Sequence, residues 1–275
     1  IKWVHKKIGE KTMKNKKTLK FYIAIFIAKC ASFTLKLLKR NATYMPGKIA
    51  LQLCPDFLGM LEKPETIIGV TGTNGKTTVC NMINDILTEN KYDFINNKYG
   101  SNIDGGIATT LIQGSTMLGK AKKKLAVLEI DERSANKIYP YITPTYLVCT
   151  NLFRDSLMRN AHTEFICDIL NKYIPKETIM IENADDLICS HVAEQNKKIY
   201  FSIAKLPTDT DHFENITRDI IACPKCNSKI EYEYVRYHHI GKAHCVNCDY
   251  KTPEADYILT CLLYTSPSPR DRSVS

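Results

Sequence analysis

The sequence predicts an α/β domain with a mainly parallel sheet and a P-loop-like turn, carrying an inserted four-cysteine zinc ribbon. Three observations lead there. Between residues 66 and 203, short apolar runs alternate with segments of helical spacing. The first run opens into Gly72-Thr-Asn-Gly-Lys-Thr-Thr78. Two tight cysteine pairs, Cys223/Cys226 and Cys245/Cys248, follow later.

The apolar runs fall at 66–70, 93–96, 125–130, 146–150, 178–182 and 198–201. Helical spacing occupies 77–89, 103–117, 164–173 and 184–194 between and after them. Strand alternating with helix implies parallel strands covered on both faces. In such sheets ligands bind beyond the carboxyl ends of the strands, so the informative residues are expected just after each run. With 275 residues there is length for one large domain or two ordinary ones.

The glycines of the first turn let the backbone curl until its amides converge on phosphate oxygens, and the following helix adds its positive end. Lys76 suits the β- and γ-phosphates, and the Thr77 hydroxyl suits Mg²⁺. A strict P-loop has glycine six residues before its lysine, where this chain has Val70. The expected ATP-binding set is Thr73, Asn74, Gly75, Lys76, Thr77 and Thr78, joined by Asn151 from the later Thr150-Asn-Leu-Phe-Arg-Asp155. That second segment reads equally as nucleotide contacts or as pairs that brace the loop. The run 125–130 ends in Glu129, Asp131 and Glu132. An acid at a strand end beside a phosphate turn commonly holds Mg²⁺; Glu129 is the first candidate and Asp131 the second.

Eighteen residues separate the two C-x₂-C knuckles, and residues 230–237 between them alternate like a ribbon strand. Four thiolates complete a tetrahedral Zn²⁺ shell and leave no place for water, so the metal is expected to be structural. The metal-free alternative is a pair of disulfides. His238, His239 and His244 are then expected at the surface or around the ligands. The other seven cysteines are scattered, which suggests a reducing, cytoplasmic setting. Residues 205–222 read as a connector.

The formal charge of +9 is uneven: the first 20 residues hold eight Lys and one Glu. This start fits contact with anionic lipid or nucleic acid, or a solvated segment. Residues 1–12 read as upstream translation before Met13. Residues 13–65 read as an amphipathic helix and lead-in, packed on a domain or lying on a membrane surface, such as the inner face of a cell membrane. No run reaches the roughly 20 apolar residues of a membrane span. Residues 261–275 have no hydrophobic period and read as translated sequencing adapter.

The Gly-Thr-Asn-Gly-Lys-Thr-Thr turn, Leu128-Glu-Ile-Asp-Glu132 and Thr150-Asn-Leu-Phe-Arg-Asp155 together resemble the Mur ligase superfamily. The four-cysteine ribbon, Asn183-Ala-Asp-Asp186 and Gly100-Ser-Asn-Ile103 resemble its MurT-like branch. The resemblance implies a central ATP-binding domain at 66–204 with the ribbon inserted at 205–256, and a C-terminal ligase domain that is missing here. It implies an ATP-dependent amide ligase of peptidoglycan biosynthesis, working through an acyl phosphate on the D-glutamate α-carboxylate of lipid II, with ammonia from a GatD-like glutaminase. Lys76 and Glu129 would be catalytic, and Thr77 and Glu129 would hold magnesium; the main catalytic aspartate would lie in the missing domain, leaving this fragment inactive alone. Met158, Ala161 and His162 depart from the branch's acid, glycine and glutamate. Competing readings are another Mur-type amino-acid-adding ligase, a zinc-ribbon nucleic-acid binder, which the diluted basic charge of the ribbon disfavours, and an inactive scaffold.

Overall fold

The structure is a computed structural model that describes residues 16–98, 101–153, 163–212, 220 and 222–260. The readings of residues 1–12, Met13, Gly100, Arg154, Asp155, Met158, Ala161, His162 and 261–275 lie outside the described residues. Two compact units emerge, one within Ile1–Glu182 and His191–Ile199, the other within Asn183–Ser190 and Tyr200–Ser275.

The first unit opens with α1 (Leu19–Leu37), α2 (Met45–Leu53) and α3 (Phe57–Met60). It continues as β1 (Thr66–Thr71), α4 (Lys76–Glu89), β2 (Phe94–Asn96), α5 (Asp104–Gln113), β3 (Leu125–Glu129), α6 (Ala135–Ile138), β4 (Tyr146–Cys149), α7 (Thr163–Tyr173) and β5 (Ile179–Asn183). Its strands are parallel, in the order β2-β3-β1-β4-β5. After β1 the chain builds β2 and β3 on one side, then crosses to build β4 and β5 on the other. The register sets Val70 against Glu129 and Thr71 against Cys149, so the tails of β3 and β4 flank the turn that leaves β1. That is the crevice where α/β sheets bind ligands. The central strands are apolar because neighbours cover them: Val70, Ala126, Val127, Leu128, Leu147 and Cys149 are all buried.

The helical layer is locked by one close approach. Gly47 of α2 donates its amide to Thr109 Oγ1 of α5 at 2.8 Å. A Cβ on Gly47 would lie 2.0 Å from the Gly105 carbonyl oxygen. The Lys29 ammonium of α1 caps the other end of α5, donating to the carbonyls of Ile112 and Ser115 at 2.7 and 2.8 Å. Phe21 of α1 stacks on Phe57, ring centroids 5.1 Å apart.

The second unit contains most of β6 (Lys198–Ile203), the hairpin β7 (Ile230–Tyr237) and β8 (Ile240–Cys245), and β9 (Tyr257–Leu259). β6 and β9 pair in parallel, and β7 and β8 antiparallel. The segment Asn183–Ser190 belongs to this unit and corrects the expectation of a helix at 184–194. It forms turns and a short 3₁₀ stretch, Cys189–His191. Its acids take the amides a helix would have used: Asp186 Oδ1 accepts from Ile188 N and Cys189 N, both at 2.9 Å. Asp185 accepts from Ile203 N at 3.0 Å and from Arg236 at 2.7 Å. Burial still pushes the Asp185 carboxyl above its ordinary range, with the Ile203 amide and Arg236 pulling the other way. The helix expected at 103–117 also stops early, at Gln113, where Gly114 ends it.

Replacing Gly47 by Ala forces the two helix backbones apart. Gly47→Ala is expected to cost about 1–3 kcal/mol or more, seen as a lower denaturant midpoint with an unchanged slope. An unchanged midpoint would mean that α2 and α5 are not in this contact.

Candidate nucleotide and zinc sites

β1 ends in a turn shaped by two glycines. Gly72 has φ +124° and Gly75 has φ +78°. A Cβ on Gly72 would sit 2.4 Å from Thr150 Oγ1, whereas one on Gly75 would meet nothing within 4 Å. The turn is therefore packed hard on one side and open on the other. α4 begins directly at Lys76 with no side-chain cap and no acid in its first turn. Its first amides are thus unclaimed by side chains and suit an anion. Asn74, Gly75, Thr77 and Thr78 are exposed.

The tail of β4 holds the turn in shape. Asn151 Oδ1 accepts from Asn74 N at 2.9 Å while its Nδ2 donates to Asn74 O at 3.0 Å. Thr73 Oγ1 receives Phe153 N at 3.0 Å, and Thr150 Oγ1 donates to Asn74 O at 2.7 Å. Asn151, whose segment offered nucleotide contacts or braces, makes bracing contacts here, and Thr73 of the turn itself joins them.

The tail of β3 supplies the acids. Thr77 Oγ1 donates to Glu129 Oε2 at 2.9 Å, and Asn102 Nδ2 donates to Glu129 Oε1 at 3.1 Å. Asn97 clamps the Glu129 backbone, accepting its N–H and donating to its carbonyl, each at 2.9 Å. A carboxylate and a hydroxyl held this close, at an exposed helix start, form a donor pair suited to Mg²⁺. Asp131, the second candidate, is turned to Arg133, which it meets at 3.0 Å. Behind Glu129, burial and then the Glu129 charge push the Cys80 thiol up to about 12, leaving it neutral.

Lys76 Nζ reaches back to the carbonyls of Gly72 and Thr73 and lies 3.3 Å from Glu132. Glu132 was not singled out in the sequence as a site residue. It is buried, and burial raises its carboxyl above the ordinary range while Lys76 opposes the shift. Its role depends on the short 3₁₀ stretch Glu132–Ser134 after β3, which turns it back toward the lysine. Spacing alone carries no sign of that turn. Asn97 and Asn102 were likewise unassigned, because their clamps on Glu129 span 32 and 27 residues.

In the second unit the four expected cysteines converge. Their Sγ atoms all lie within 4.8 Å of one another, the one such group of potential metal ligands among the described residues. Cys223–Cys248 and Cys226–Cys245 stand 3.5 and 3.4 Å apart. A disulfide would need about 2.05 Å, whereas four sulfurs around Zn²⁺ at ~2.3 Å would stand about 3.8 Å apart. The thiol set fits the metal. Hydrogen bonding from the Ser228 side chain, then its amide, brings the Cys226 thiol down to about 6, whereas Cys248, against the Tyr250 amide, is pushed up to about 12 by desolvation and its sulfur neighbours; a metal would supply the charge that four thiolates need. Asn247 N points at Cys245 Sγ, 3.4 Å away. His239 is neither at the surface nor beside the thiols: it is buried, with Nε2 3.0 Å from Asp186 Oδ1. His244 is exposed.

Elemental analysis is expected to find one zinc per chain, and none in Cys245→Ala. Chelation is expected to unfold the β7–β8 hairpin, because the metal contributes on the order of 10 kcal/mol in ribbons of this kind. Backbone hydrogen exchange in β7 and β8 that is indifferent to chelator would contradict this.

Residues 70–248 match the Mur ligase middle domain. The chain is 36% identical over 251 residues to the MurT subunit of the glutamine-hydrolyzing lipid II isoglutaminyl synthase of Streptococcus pneumoniae, covering 89% of this chain and 54% of that one. It is 33% identical to the MurT subunit of Staphylococcus aureus strain COL, covering 86% and 53%. The chain therefore spans about half the length of the curated relatives it matches. Among solved structures, a pseudomurein peptide ligase type C from Methanothermus fervidus superposes with a TM-score of 0.54 at 25% identity, over 75% of this chain and 40% of that one. A turn built on Gly72 and Gly75, an acid-bearing β3 tail and the match across residues 70–248 lead to one conclusion: this chain belongs to the Mur ligase family.

Proposed function

We propose that this chain is the ATP-binding part of a carbon–nitrogen ligase that converts the α-carboxylate of D-glutamate in the lipid II stem peptide to the amide, giving D-isoglutamine. One observation carries the reading. The open phosphate turn and the Thr77–Glu129 pair stand together in a chain that resembles MurT along most of its length.

In this reading the γ-phosphate of ATP lies against the first amides of α4, and Lys76 neutralises it. Lys76 must then exchange the carbonyls of Gly72 and Thr73 for phosphate oxygens, while Glu132 keeps its ammonium at the turn. Thr77 and Glu129 would hold Mg²⁺, which when bound would supply positive charge to offset that of the phosphates. Asn97 and Asn102 fix the Glu129 carboxylate, and Asn151 fixes the curl of the turn. A carboxylate oxygen of the substrate attacks the γ-phosphorus, forming an acyl phosphate and releasing ADP. Ammonia then attacks the acyl carbon, phosphate leaves, and the nitrogen loses a proton to give the amide. The naming of the MurT relatives as subunits of a glutamine-hydrolyzing enzyme supports a GatD-like glutaminase as the ammonia source. The four-cysteine zinc site plays no part in the chemistry and stabilises its own unit.

Titration of the zinc-loaded chain with MgATP tests the first step. Binding is expected, and Lys76→Ala is expected to weaken it by about 10- to 100-fold, the value of a charge-assisted contact. Incubating the complete ligase and a glutaminase with lipid II, glutamine and ATP tests the rest by mass spectrometry. An amidated stem peptide supports the reading. A stem peptide extended by an amino acid, or ATP affinity that Lys76→Ala leaves unchanged, would overturn it.

A further inference from the structure

The inner face of α1 is fully used. Phe21, Ala24, Ile25, Ala28 and Ser32 are buried, Phe21 stacks on Phe57, and Lys29 is tied to α5. The helix therefore cannot roll to bury its other side. Yet that side is also apolar. Leu19 is 75%, Phe26 57%, Phe33 70% and Leu37 73% exposed, with Tyr22 and Ile23 exposed between them. Steps of three, four or seven residues place these side chains in one stripe along the helix, about 28 Å long at 1.5 Å per residue.

Charge decides what fits the stripe. Residues 16–55 hold eight cations and no acid. Two of the eight, Lys17 and Lys29, are turned to backbone carbonyls. Lys16, Lys20, Lys36, Lys39, Arg40 and Lys48 are exposed. Lys16 and Lys20 stand at the start of α1, and Lys36, Lys39 and Arg40 at its end. No helix among the described residues is long and apolar enough to cross a membrane. An apolar stripe with cations at both ends matches a helix lying in the plane of an anionic bilayer. There the apolar side chains enter the acyl boundary while lysine and arginine stems reach up to the headgroups.

We propose that the outer face of α1 docks this chain on an anionic lipid surface. The inference rests on α1 and the cations that flank it, and stands whether or not the amidation reading holds. A protein partner, the remainder of a longer chain or a second copy would have to bring acids to both ends of the stripe; phosphatidylglycerol headgroups supply that charge everywhere.

Flotation of the full chain with vesicles tests this. Binding is expected to vesicles of phosphatidylglycerol and phosphatidylcholine, to weaken with salt, and to be slight on phosphatidylcholine alone. Phe26→Ser with Phe33→Ser is expected to reduce binding about tenfold or more. Separately, Lys20→Gln with Lys36→Gln is expected to reduce it about fivefold per cation. Both changes lie on exposed positions, so thermal midpoint and zinc content should match the parent. Failure to float with the anionic vesicles would overturn the proposal. So would equal binding by the two-serine variant, or a concentration-dependent dimer of the parent that this variant abolishes.

Discussion

Everything at the proposed nucleotide site depends on how the turn after β1 is pressed onto the tail of β4. Gly72 stands where any side chain would strike Thr150, and Asn151 closes the same gap with a two-point amide clamp on Asn74. A flexible glycine-rich loop would lose much of its phosphate affinity to the entropy of ordering itself. Here the neighbouring strand supplies the order beforehand. The clamp also explains why the open side of the turn faces outward at Gly75, where a ligand can approach the first amides of α4. The same logic recurs on β3, where Asn97 makes an equivalent two-point clamp on the Glu129 backbone. Two asparagines, each bonded to the N–H and the carbonyl of one residue, thus hold the phosphate turn and its acid each in place.

The second unit shows a different solution to a small core. Leu187, Cys223, Ala243, Cys245 and Tyr250 form a cluster too small to carry the hairpin unaided. Buried polar contacts and the proposed zinc add to it. Arg236 bridges Asp185 and Asp209 at 2.7 and 2.9 Å, and His239 meets Asp186 at 3.0 Å. Removing Arg236 would strand the buried Asp185 and Asp209 carboxylates, a loss of about 3–5 kcal/mol. The Asn-Ala-Asp-Asp segment is thus a brace for the hairpin.

Legibility in the sequence followed the range of the interaction. The phosphate turn and the cysteine knuckles were readable because their chemistry is written in residues a few positions apart. The strands were readable because burial on both faces leaves an unbroken apolar run. The segment at 184–194 misled for the converse reason: Ala184, Leu187, Ile188 and Val192 have helical spacing, but Asp185 and Asp186 bond to the hairpin and to local amides. Glu132 and Asn102 stood in motifs without a role of their own, and Asn97 in none, because their partners lie 27 to 56 residues away. The contact of Gly47 with α5 was silent for the same reason, and the apolar outer stripe of α1 became visible only once the opposite face was shown to be buried.

The central claim is that the β1 turn and the β3 acid form one preorganised nucleotide site. A crystal structure with a non-hydrolysable ATP analogue and magnesium tests it most directly. The account predicts phosphate oxygens on the amides that follow Gly75, the metal between Thr77 Oγ1 and the Glu129 carboxylate, and Lys76 moved from Gly72 and Thr73 onto phosphate, with the Asn151 and Asn97 clamps unchanged. A nucleotide bound elsewhere on the chain, or a turn that must break the Asn151 clamp to admit it, would contradict that claim.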